Sequence, residues 1–89
     1  MNRGTFAGIF GGIARPGSRP RDMILLRNIK DADGLLVTDH LWFNVTKRFS
    51  ELNLRLGDHV RFDARVRIYV RKGGSTDYHL SYPTRIVKI

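Results

Sequence analysis

The chain has no cysteine, so disulfides and thiolate metal sites are excluded and the interior must hold by packing alone. Nothing ties it to an oxidising compartment. Proline is scarce, and two of its three copies, Pro16 and Pro20, fall in one short segment. Acidic residues are also few, with 8 Asp and Glu against 16 Lys and Arg. Long apolar runs are missing too. The N-terminal stretch MNRGTFAGIFGGIARPG is broken by glycines and ends in a basic, proline-containing run, too short and interrupted for a membrane span. Its apolar part continues into the fold, so a signal peptide is not expected either. The expectation is a cytoplasmic protein with no membrane partner.

What is present is one small domain spanning residues 1–89, with room for one modest core. The net charge of +8 and pI near 10.9 make a strong field for this size. Such a field selects polyanionic partners, with DNA or RNA ahead of an anionic membrane surface or an acidic protein.

The most informative stretch is GDHVRFDARVRIYVR, from Gly57 to Arg71. Val60, Phe62, Ala64, Val66, Ile68 and Val70 alternate with His59, Arg61, Asp63, Arg65, Arg67, Tyr69 and Arg71. Side chains in a strand point alternately to opposite faces, so one face is apolar and the other carries four arginines and a tyrosine. A helical period would mix the two sets. The stretch predicts a long, half-buried antiparallel strand. On its polar face only Asp63 opposes the arginines. That face reads either as a solvated surface or as a nucleic-acid contact, since arginine and tyrosine offer planar faces to unpaired bases.

Residues 1–14 predict a first strand, in which Gly4, Gly8, Gly11 and Gly12 mark bends or close backbone approaches. The loop RPGSRPRD, residues 15–22, carries Arg15, Arg19 and Arg21. A second strand over residues 23–30 leads through the turn Asp31-Ala32-Asp33-Gly34 into a third, Leu35 to Asn44. In one phase of that third strand, Leu35, Val37, Leu41 and Phe43 face the core, while Thr38, His40 and Trp42 face out. The opposite phase buries His40 and Trp42. The first is preferred, although it turns Asp39 inward.

Val45, Phe49, Leu52 and Leu56 come next, at helical spacing, with Thr46 as N-cap and Gly57 as the stop. After the long strand comes a hairpin tip, Lys72 to Asp77. A fifth strand begins at Tyr78, with Tyr78, Leu80 and Tyr82 on one face. Pro83 breaks it or marks an edge, and Thr84 to Ile89 close the chain.

An enzyme is not expected. His40, His59 and His79 occur with Asp39, Asp58, Asp63 and Asp77, but sequence neighbours such as Asp39 and His40 should point apart. No HExxH, GxSxG or P-loop pattern is present. No cofactor and no metal site are expected, and His40 is read as a hydrogen-bonded hairpin residue.

Five strands with a short helix between the third and fourth resemble the oligonucleotide/oligosaccharide-binding (OB) fold, an all-β, partly open five-stranded barrel. The run DADGLLVTDHLWF is similar to the strand-two/strand-three hairpin of small OB proteins. LRLGDHVRFDARV resembles their approach to strand four, and YPTRIVKI their last strand. The resemblance covers nearly the whole chain. Among OB proteins the chain is most similar to the single-strand-binding and replication protein A group, although it lacks the long acidic, glycine-rich tail of bacterial members. The resemblance implies a ligand lying across strands two and three, clasped by the strand 1–2 and strand 4–5 loops. On that reading Arg15, Arg19, Arg21, Arg65, Arg67, Arg71 and Lys72 hold phosphates. Trp42, Tyr69 and Tyr78 stack on bases, and Arg27 and His40 complete the surface. The expected partner is single-stranded DNA, bound with little sequence preference. An RNA-binding OB protein of translation, and an OB domain that pairs with a protein or with itself, are the alternatives.

Overall fold

The computed structural model describes residues 3–15, 17, 22–70 and 72–89, with the backbone alone at residues 69 and 76–78. Five strands and one short helix occur in the expected order: β1 (Arg3–Ala14), β2 (Met23–Asp31), β3 (Leu36–Asn44), α1 (Lys47–Glu51), β4 (His59–Val70) and β5 (Thr76–Lys88). All ladders are antiparallel, and the strand order is β3-β2-β1-β4-β5.

Alternation along each strand sends one set of side chains into a single apolar core. Phe62 lies at its centre with no exposed surface. Its ring meets Phe6 at 6.0 Å and Phe43 edge-on at 5.5 Å, and Phe43 stacks on Phe49 at 6.4 Å. Ile24, Leu26, Ile29, Val60, Ala64, Leu80 and Ile86 fill the remainder. Among the described residues no polar side chain is buried, so the core has no polar group to satisfy.

The bends expected from the glycines of β1 are present. Its register against β2 shifts between Ala7 and Ile9 and again between Phe10 and Gly12. The first shift places an extra residue on β2, where Asn28 adopts φ 49°. Ile29 then sits directly beneath Gly8, where a Cβ would come within 2.6 Å of its Cδ1. At the second shift the extra residue is on β1, and Gly12 takes φ 116°.

The hairpin between β2 and β3 forms as its Asp-Gly signal predicts. Asp31 Oδ1 accepts bonds from the backbone N–H groups of Asp33 and Leu35 at 2.9 and 3.0 Å. Thr46 caps α1 as expected, its Oγ1 accepting from the Phe49 N–H at 3.4 Å. Phe49 plugs into the core and Leu52 packs against it.

Four expectations are corrected. The helix ends before Gly57: its last residue is Glu51, and Asn53 at φ 49° turns the chain away. Leu56 therefore lies outside the helical stripe and is exposed. The apolar face of β4 is buried only at Val60, Phe62 and Ala64, with Val66 packed alongside; Ile68 and Val70 are exposed because the strand runs on past the core. β5 starts at Thr76, not Tyr78, and runs through Pro83 as one strand; of the two readings of Pro83 the edge is the one observed, since β5 ends the sheet order. Two bulges, at Tyr82 (φ 53°) and Arg85 (φ 51°), break its register with β4 and flip its parity, so Leu80 is buried while Tyr82 is exposed.

The sheet is not closed into a barrel. Its edge strands β3 and β5 come into contact, but no ladder joins them among the described residues. Pro83 has no N–H to donate, and the bulges on either side of it leave β5 without a regular edge at this point.

Candidate nucleic-acid interface

The ladder between β2 and β3 decides which way Trp42 faces. Leu25 pairs with Trp42 and Arg27 with His40, so these four share the outer face of the sheet. Phe43, one residue on, is in the core. The preferred phase of the third strand is the one observed for Val37, Leu41 and Phe43, while Leu35, expected in the core, precedes β3 in the turn and is exposed. Leu25 lies on this outer face yet is only 8% exposed, and it forms an apolar floor beside the half-buried indole. Arg27 extends over β1 at Gly11, where a Cβ would lie 3.0 Å from its Nε.

Where β3 and β5 meet without pairing, an open groove of about 480 Å³ runs along the seam. Trp42, Phe43 and Asn44 form one bank, and His79 to Thr84 of β5 form the other. Tyr82 stands on the β5 bank, 68% exposed. The Arg65 guanidinium lies 5.3 Å from the centroid of its ring. Arg3 holds the same residue from below: its Nη2 donates to the Tyr82 carbonyl at 3.0 Å and to Thr84 Oγ1 at 2.7 Å.

The predicted residues are not all gathered in one place. Arg27, His40 and Trp42 form one group on β2 and β3. Arg65 and Arg67 project from the outer face of β4, separated from that group by β1 on one side and by the seam on the other. Arg65 reaches the seam through Tyr82, whereas Arg67 is exposed opposite His79. Lys72 is exposed at the tip of the β4–β5 hairpin. Arg15 is tied to Asp22 through Nε at 2.9 Å, bridging the two ends of the 15–22 loop. Arg19, Arg21 and Arg71 lie outside the described residues, and Tyr69 and Tyr78 are described in their backbone only.

His40 corrects one expectation. Its Nδ1 is 2.7 Å from Asp39 Oδ1, so these neighbours meet rather than diverge. Asp39 has inward parity, but it lies on the edge strand, and its carboxylate remains in solvent. The bond from His40, and then its charge, hold the Asp39 carboxyl below the usual range. Among the described residues no group of three His, Asp or Glu side chains could hold a metal ion.

Sequence reasoning missed Tyr82 and Arg3 as members of this surface. Strict alternation sends Tyr82 inward with Leu80. The available signal was Pro83, since proline within a strand is confined to edges and bulges, and a bulge reverses the parity of the residues beyond it.

Arg3 and Arg65 stand directly opposite each other on the β1–β4 ladder. Like charges in that relation repel. Asp63, on the same face, accepts from Thr5 Oγ1 at 2.8 Å and lies 3.8 Å from Arg85.

A scan against protein-family models, a search of curated proteins and a search of solved structures each found no match to this chain. Among the described residues, no helix is long and apolar enough to cross a membrane.

Proposed function

We propose that the chain is a non-catalytic module of OB type that binds single-stranded nucleic acid, DNA first and RNA second, with little sequence preference. The observation that carries this reading is the seam groove, with Trp42 on one bank and Tyr82, backed by Arg65, on the other. Unpaired bases stack on aromatic faces at about 1–3 kcal/mol each, and the cations track the phosphates. The opposed Arg3 and Arg65 favour the same partner, because a polyanion relieves their repulsion. Five antiparallel strands whose edges meet without pairing fit the partly open barrel of the OB fold. A cytoplasmic place of action goes with this reading.

The test is the anisotropy of labelled oligo-dT, oligo-rU and a DNA duplex at two salt concentrations. The reading expects single strands to bind, more weakly as salt rises, and to be preferred over the duplex. Absence of binding to any of the three contradicts it.

A second reading has its own observation. Leu35, Leu36, Ile68 and Val70 are all exposed. Leu35, Leu36, Val37, Val66 and Leu80 line a further open groove of about 370 Å³. Exposed apolar groups of this kind suit a protein partner or self-association. Sedimentation across a range of concentrations tests self-association directly.

A further inference from the structure

We infer that Tyr82, positioned by Arg65 and Arg3, is a second base-stacking platform, so that the seam groove takes one unpaired nucleobase on Trp42 and another on Tyr82. This rests on the single-strand reading and extends it to a residue on β5, away from the β2–β3 face.

Three features of Tyr82 converge. First, it is an aromatic residue at φ 53°, in the left-handed region that costs a side-chain-bearing residue energy. A strained non-glycine residue persists only where its surroundings hold it. Here two bonds from Arg3, one to the Tyr82 carbonyl and one to Thr84 Oγ1, provide that hold. Second, the bulge turns the ring out of the core, where its parity with Leu80 would otherwise put it. Packing therefore does not account for the ring. Third, one ring face is taken by the Arg65 guanidinium, while the side chain remains largely exposed. A fixed aromatic with one face backed by a cation and the other open is a preorganised stacking surface.

Charge and shape identify the occupant. The chain carries +8, Arg65 lies against the Tyr82 ring and Arg3 holds the Tyr82 carbonyl. An anionic strand with planar bases complements both. Duplex DNA keeps its bases stacked internally and offers neither platform a face, so the site selects unpaired nucleotides.

Tyr82→Gly separates this role from a structural one. Glycine adopts the left-handed backbone without strain, so the variant keeps the bulge while deleting the ring. The expected result is a folded protein with a melting midpoint near that of the parent and affinity for oligo-dT lowered about tenfold. Tyr82→Phe keeps the ring and is expected to bind like the parent. If the glycine variant fails to fold, Tyr82→Asn replaces it, because asparagine also tolerates this backbone. Unchanged oligo-dT affinity in a folded, ring-deleted variant overturns the second platform and leaves Trp42 as the sole one. A parent protein that does not bind oligo-dT overturns the platform and the single-strand reading together.

Discussion

Trp42 and Leu25 face each other across the β2–β3 ladder, on the side of the sheet away from Phe43. Trp42 is the cross-strand neighbour of Leu25 and is not part of the core cluster. Trp42→Ala is therefore expected to cost on the order of 1–2 kcal/mol of stability from lost apolar cover. Phe43→Ala, which empties a site contacting both Phe62 and Phe49, is expected to cost about 3–5 kcal/mol. Urea unfolding of the two variants checks the order. Equal losses contradict the outward placement of Trp42.

Gly8 and Ile29 give a paired prediction. An alanine Cβ at position 8 would meet Ile29 Cδ1 at 2.6 Å, and Ile29 is fully buried with little room to move. Gly8→Ala is expected to destabilise by about 1–3 kcal/mol through overpacking. Ile29→Val removes that Cδ1 methyl. The double variant should therefore be more stable than Gly8→Ala alone, although Ile29→Val by itself costs about 0.5–1.5 kcal/mol. Simple additivity in denaturant melts counts against the close approach.

Asp58 joins the turn before β4 to the end of β5. Its Oδ2 accepts from the Arg55 N–H at 2.8 Å and lies 3.1 Å from Lys88 Nζ. The Arg55 bond, and then Lys88, hold the carboxyl below its usual range. A depressed carboxyl contributes stability that is present above its unfolded-state value and is lost as pH falls through the folded one. Asp58→Asn should therefore melt below the parent at pH 7, with the gap closing as pH falls below about 4. A gap that stays constant into acid means that the charge of Asp58 is not what stabilises.

Arg67 is exposed on β4, and no ion pair to it is observed among the described residues. If it contacts a phosphate of the bound strand, Arg67→Gln weakens binding similarly for every sequence. It also lowers the slope of log affinity against log salt by about 0.7. Titrations of oligo-dT and oligo-dA at several salt concentrations measure both. An unchanged slope removes Arg67 from the interface.

The number, type and order of the elements could be read from the sequence because alternation is strong in the first half of β4, because β2 is a short apolar run bounded by turn signals, and because Asp31-Gly34 and Thr46 are local signals. Legibility failed where one strand changed phase. Nothing in a count of alternating residues places the bulges at Asn28, Tyr82 and Arg85, and each reverses the faces of the residues beyond it. The exposure of Ile68 and Val70 was hidden for another reason. Alternation shows that two residues share a face, but not whether another element covers it. The candidate site divided in the same way. Trp42, His40 and Arg27 were legible from strand phase, whereas the part built by Tyr82 and Arg3 depends on a bulge and on contacts 79 and 81 residues apart in the chain.

Trp42 is the only tryptophan, so its fluorescence reports from the groove without a label. Titrating the protein with oligo-dT at low and at raised salt tests the central claim most directly. The account predicts quenching that saturates, and an apparent affinity that falls as salt is raised. Fluorescence that does not change while oligo-dT is shown by anisotropy to bind places the strand away from Trp42 and contradicts the seam groove as its site.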